Sequence, residues 1–151
     1  MGDLKLVWNS NALSADLSVE ANDLSTDDGL ETAVLLSLFT DRRSEPGDVL
    51  PDGDTDRRGW WADAFPVANG DRFGSRLWML ARAKPTQETA LRAEEYAREA
   101  LAWLKDDLVA ERIDVSAELS ESKMLGIDVI IYRPRNPDPV RYRFSGVWQE
   151  T

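Results

Sequence analysis

Ile113-Asp114-Val115-Ser116-Ala117-Glu118-Leu119 alternates apolar with polar side chains at a period of two, the spacing that puts every apolar group on one face of a β-strand. The alternation returns at Ile127, Val129 and Ile131, and again in Val140-Arg141-Tyr142-Arg143-Phe144. The connectors Ser120–Gly126 and Pro134–Pro139 are short enough for hairpins, so residues 111–148 are expected to form a three-stranded antiparallel meander with one apolar face. Such a face needs a cover, and the chain just upstream supplies one.

From Thr86 to Leu108 the positions Ala90, Ala93, Ala97, Ala100, Leu101, Leu104 and Leu108 recur at helical spacing, and the small Ala side chains permit close approach to a sheet. Trp103 belongs at the edge of that stripe. A shorter helix, Arg76–Ala83, is expected to start at Ser75 as a cap and to stop before Pro85. Further upstream, Leu30, Ala33, Val34, Leu35, Leu36, Leu38 and Phe39 cover more than one face, which predicts a helix buried on most sides. Ser25-Thr26-Asp27-Asp28 offers side-chain acceptors for its start, and Arg42 and Arg43 suit its end near Thr40–Arg43. At the N-terminus, Leu4, Leu6 and Trp8 and then Leu17 and Val19 alternate with polar residues around the turn-forming Asn9-Ser10-Asn11, predicting a short β arm over residues 1–22. The fold class expected is α+β: one domain over residues 1–151, with helices packed on a C-terminal three-stranded antiparallel sheet.

Between these elements, Ser44–Gly74 holds Pro46, Gly47, Pro51, Gly53, Gly59, Pro66 and Gly70, a density of breakers that forbids a long regular element. A loop of that length in a small domain is expected to have a job. At its centre stands Asp56-Arg57-Arg58-Gly59-Trp60-Trp61-Ala62-Asp63, with an echo in Gly74-Ser75-Arg76-Leu77-Trp78-Met79-Leu80. Large aromatic side chains in a connector need something to cover them. Trp60, Trp61 and Trp78 form either a satellite core under the loop or, with Arg57, Arg58 and Arg76, an anchor for a partner, because buried interfaces concentrate aromatic and Arg side chains.

Composition narrows the chemistry. The 151 residues carry 18 basic and 28 acidic side chains, a formal charge of −10 that makes nucleic acid and anionic lipid poor partners. With no Cys and no His, the chain lacks thiolate nucleophiles, disulfides, thiolate or imidazole zinc ligands and the usual base of a serine triad. No apolar run approaches the roughly 18 residues that a membrane span needs. Met1-Gly2-Asp3-Leu4-Lys5 does not read as a secretion signal, which suggests a product made in the cytoplasm.

Three constellations remain. Asp52, Asp54, Asp56 and Asp63 fall at positions of a calcium loop, but Arg57 occupies the place of the turning Gly, and the flanking helices are missing; the expectation is no metal and no cofactor. Glu31, Glu45, Asp56 and Asp63 could furnish a carboxylate pair for glycoside hydrolysis, though no spacing singles one out. Arg133, Arg135, Arg141 and Arg143 concentrate positive charge near the last hairpin. Arg141 and Arg143 either face Asp114 and Glu118 across the sheet or meet an acidic partner, and the last strand offers an edge for strand addition.

Taken together, Leu38-Phe39-Thr40-Asp41-Arg42-Arg43, Leu50-Pro51-Asp52-Gly53, Asp56–Asp63, Gly74–Leu80 and Thr86–Trp103 resemble the Mu-like phage tail family of the gp-forty-six type, over most of the chain from Thr26 onward. That family is similar to the baseplate wedge proteins and sheath initiators of contractile tails, a group sometimes described as lysozyme-like. The resemblance implies a small α/β domain in the virion tail baseplate, contacting other wedge proteins and building the first ring of sheath by strand addition; the lysozyme label implies enzymatic action, but no residue of this chain supports it, so the expectation is a non-enzyme. Wedge relatives carry a Glu-Pro-Arg signature after the first helix; Thr40-Asp41-Arg42-Arg43 and Glu45-Pro46-Gly47 stand there instead. The residues expected to meet partners are therefore Arg57, Arg58, Trp60, Trp61, Arg76, Trp78, Arg141 and Arg143. The rival readings are a carboxylate-dependent peptidoglycan hydrolase and a calcium-stabilised binding module.

Overall fold

The computed structural model describes residues 3–4, 6–9, 14–17, 19–20, 23–24, 26–27, 29–53, 55–59 and 73–145. In chain order the elements are β1 (Asp3–Leu4), β2 (Leu6–Asn9), β3 (Ser14–Leu17), β4 (Val19–Glu20), β5 (Asp23–Leu24), β6 (Thr26–Asp27), α1 (Leu30–Phe39), α2 (Gln87–Leu101), α3 (Trp103–Asp106), β7 (Arg112–Leu119), β8 (Leu125–Tyr132) and β9 (Val140–Phe144). The fold is α+β, with β7-β8-β9 forming the antiparallel meander expected of the C-terminal third.

Period-two patterning sets the register. Val115 faces Val129, which faces Tyr142, and Ala117 faces Ile127, which faces Phe144, so one face of the sheet is a continuous apolar plate. Helix α2 lies on it through Ala90, Ala93, Ala97 and Leu101, all almost fully buried. Small side chains bring helix and sheet close, and each fully buried Leu or Ile of this core contributes roughly 1.5–3 kcal/mol. Helix α1 closes the other side with Val34, Leu35 and Leu38. Its Ser37 donates to Ala33 O at 2.7 Å and accepts from Trp103 Nε1 at 2.9 Å, a polar clip between α1 and α3.

Several local expectations need correction. Thr26–Asp27 does not cap α1; it pairs with Asp3–Leu4, and Gly29 at φ 85° leads into the helix without a side-chain cap, a left-handed conformation natural to glycine. Ser25 and Asp28 lie outside the described residues, as do Ser10 and Asn11 of the expected arm turn. The arm itself runs further than residue 22, through three short antiparallel ladders: β1 with β6, β2 with β3, and β4 with β5. The helix expected over Arg76–Ala83 is a single 3-10 turn, Leu77–Leu80, and Ser75 Oγ accepts from Leu77 N at 3.3 Å rather than capping a longer element. The long helix starts where expected, with Thr86 Oγ1 accepting from Thr89 N. It ends at Leu101, and a break at Ala102 separates it from the short α3, so the single helix expected over Thr86–Leu108 is two; beyond α3, Leu108 at φ 60° lets the N–H groups of Val109 and Ala110 both reach Leu104 O.

The arm docks on the domain. Trp8 stacks on Phe39 with centroids 4.4 Å apart, both rings meet Phe144 edge-on, and Trp8 Nε1 donates to Ser145 O at 3.0 Å. Leu6 N adds a bond to Thr32 Oγ1. Three aromatic rings from arm, helix and sheet thus close one end of the core. Among the described residues no helix is long and apolar enough to cross a membrane.

Candidate partner-binding site

The site is assembled where the chain leaving α1 meets the chain entering α2. Gly74 permits it: at φ 99° an added Cβ would sit 2.4 Å from Thr40 O, so no other residue lets these backbones lie so close without movement. Ser75 N then donates to Thr40 O and Arg42 N to Ser75 O, each at 2.9 Å, a one-residue parallel bridge. The Ser75 hydroxyl donates to Leu38 O and fixes the junction to the end of α1.

That bridge aims Arg76 into a polar cage. Its Nη1 donates to both carboxylate oxygens of Asp48 at 3.0 Å, its Nε donates to Glu99 Oε2 at 3.0 Å, and its guanidinium lies 4.7 Å from the Tyr96 ring centroid. Arg42 approaches the second oxygen of Glu99 at 3.7 Å. Burial works against the Arg76 charge, but the hydrogen bonds to Asp48 and the two carboxylate charges outweigh it and push its pKa up from the ordinary value. Burial against this cage raises the Tyr96 phenol, with the Arg76 charge opposing. Asp48 is held in turn by Glu45 N at 2.7 Å.

Around the cage sit the stems of the Trp-containing loop. Trp78 is buried and its Nε1 donates to Arg42 O at 2.7 Å. Arg58 covers it, with the guanidinium 4.5 Å from the ring centroid and a 2.5 Å bond to Asp41. Arg57 donates to Ser44 Oγ and Glu45 O, while Ser44 N donates back to Arg57 O. Arg57, Arg58, Arg76 and Trp78 are therefore brought together. Trp60, Trp61 and Asp63 lie outside the described residues, between stems fixed at Gly59 and Phe73. Arg141 and Arg143 belong to the edge strand β9.

The pairing expected for those two Arg is corrected by strand order. Because β8 lies between β7 and β9, neither can face Asp114 or Glu118 directly. Arg143 stands opposite Asp128, with 3.5 Å between charged atoms, Arg141 stands opposite Ile130, and Asp114 is taken by Arg112. Of the calcium-loop acids, Asp56 accepts from Arg58 N at 2.8 Å as part of a turn, and Asp54 lies outside the described residues. Among the described residues no three Asp or Glu side chains converge as metal ligands would. The acids of the cage are counter-ions to Arg, an arrangement that fixes backbone rather than one that straddles a substrate. The sequence did not point to Asp48, Tyr96, Glu99 or Arg42, since nothing local marks partners so far apart along the chain.

The model of the family described as Phage protein GP46 matches residues 30–138, from the start of α1 through the β8–β9 connector. The chain belongs to that family. Among GP46 relatives it is 42% identical to "Baseplate protein gp46" of Escherichia phage Mu, over 97% of this chain and 100% of that protein. It is 37% identical to "Mu-like prophage FluMu protein gp46" of Haemophilus influenzae, over 89% of each. The cage and the loop stems fall within the family match, whereas the N-terminal arm and β9 fall outside it and align with the Mu protein.

Proposed function

We propose that this GP46-family chain is a non-enzymatic structural component of the tail baseplate of a Mu-like phage or prophage, made in the host cytoplasm and carried in the virion. The alignment with the Mu baseplate protein over nearly the whole chain carries this reading. Two finer assignments follow. The Trp-containing loop, held at its stems by Arg57, Arg58, Arg76 and Trp78, docks on neighbouring wedge proteins through Trp60 and Trp61. Strand β9, an edge of its sheet among the described residues, accepts a strand from the tail sheath and so starts sheath assembly.

Proline placed at successive positions of Val140–Phe144 removes one backbone donor at a time, and proline is tolerated on an edge when the lost N–H points outward. In phage carrying such a variant whose purified protein keeps its melting transition, tail tubes are expected with no sheath around them. Normal sheaths on every folded variant would remove the sheath assignment. Trp60→Ala with Trp61→Ala is expected to release the chain from partially assembled wedges, and intact wedges would remove the docking assignment.

A further inference from the structure

The β9 edge carries a chemical specification for its guest. Along the strand, Val140, Tyr142 and Phe144 face the core while Arg141 and Arg143 stand on the outer face. Phe144 is buried under Trp8 and Phe39, but Val140 and Tyr142 are half-buried, so the apolar plate runs out to the open edge at their end. A strand laid beside β9 continues both rows, because residues directly opposite share a face.

The outer row is cationic and poorly satisfied from within. Arg143 is 62% exposed, with Asp128 at 3.5 Å, and Arg141 stands opposite Ile130 with no acidic side chain in ion-pair range among the described residues. The adjoining connector adds the exposed Arg135, in a chain whose overall charge is −10. Like charges directly opposite one another destabilise a strand pair, so this row also disfavours two copies joining through β9.

We infer, building on the strand-addition reading above, that the guest of β9 is an extended segment alternating apolar with acidic residues, its acids opposite Arg141 and Arg143 and its apolar residues extending the row of Val140 and Tyr142. The partner is thus an acidic protein segment, distinct in charge from the edge that receives it.

The probe is a capped peptide alternating Val with Glu, compared with a twin carrying Lys in place of Glu, each titrated into the full chain by fluorescence anisotropy while amide exchange is followed at β9. The Glu peptide is expected to bind about tenfold more tightly than the Lys peptide, as two cross-strand charge pairs allow, and to slow exchange at β9. Arg141→Glu, which stands directly opposite Ile130 rather than an acid, is expected to erase most of that preference. Equal binding of both peptides with equal protection of β9 would overturn the acidic specification and leave strand addition standing. If neither peptide protects β9, both fall.

Discussion

Two arginines in this molecule make nearly the same contacts. Arg76 forks onto Asp48 and lies over Tyr96; Arg112 forks onto Asp114 and lies over Tyr132, with guanidinium-to-ring distances of 4.7 and 4.5 Å. Their surroundings differ. The Arg76 side chain is 15% exposed and its acids are 28 and 23 residues away, whereas Arg112 is 63% exposed and its acid is two residues along the same strand. The Arg76 contacts close long loops and tie the stem of the Trp-containing loop to α2. Those of Arg112 close almost none and hold a charge that water would hold as well. Similar local chemistry therefore does different work according to burial and to the length of chain that each contact constrains.

Removal of Arg76 is expected to cost the fold most. Arg76→Met strands Asp48 in a half-buried site and leaves Glu99 with Arg42 alone, and breaking such a pair costs about 3 kcal/mol, or roughly 6–12 °C in Tm for a chain of this size. Urea unfolding of the purified variant measures it. Adding Asp48→Asn to Arg76→Met removes the stranded charge, leaves the Arg42–Glu99 pair in place, and is expected to recover part of the loss. If Arg76→Met melts like the parent, the cage contributes nothing to holding the loop stems.

The same contrast explains what could be read in the sequence. Period-two alternation in β7, β8 and β9 and the Ala stripe of α2 were legible, because core-facing positions recur at fixed spacing within each element. The start of α2 near Thr86 was legible for the same local reason, and the structure adds that Thr86 caps it. The Arg76 cage was not, since the pairing of Arg76 with Asp48 and Glu99 depends on which segments the fold brings together, and an acidic chain offers many acids to choose from. The start of α1 misled because Gly29 enters the helix in a left-handed conformation and frees Thr26–Asp27 to pair with the N-terminus. The assignment of Arg141 and Arg143 to Asp114 and Glu118 failed on strand order, which alternation within a strand does not encode. Of the candidate site, the loop and its Arg and Trp residues were visible as an anomaly of composition; the partners that hold its stems were not.

Arg112→Met, by contrast, is expected to lower the melting temperature only slightly, far less than Arg76→Met does. Exposed ion pairs gain little against solvent and side-chain entropy. A loss comparable to that of Arg76→Met would show that the outer face of the sheet is organised around Arg112, contrary to its exposure.

Titration separates the two things Arg112 does. The hydrogen bond from Arg112, opposed by desolvation and aided by the Arg112 charge and a hydrogen bond from Tyr132, holds the Asp114 carboxyl below the usual carboxylate range. A carboxyl lowered in the folded state adds stability that is present above its unfolded pKa, about 3.9, and is lost as pH falls through the lower folded value. In Arg112→Gln the Asp114 titration, followed by carboxyl NMR, should move back up toward the ordinary value. The small difference in Tm between parent and variant should then shrink as the pH is taken from neutral to below about 4, where the free carboxylate protonates. Whatever difference survives once Asp114 is protonated in both proteins belongs to the stacking of Arg112 on Tyr132, which does not titrate in that range. A difference independent of pH would assign the whole contribution of Arg112 to the ring and none to the carboxylate, leaving Arg76 as the one of the two whose ion pairs contribute to the fold.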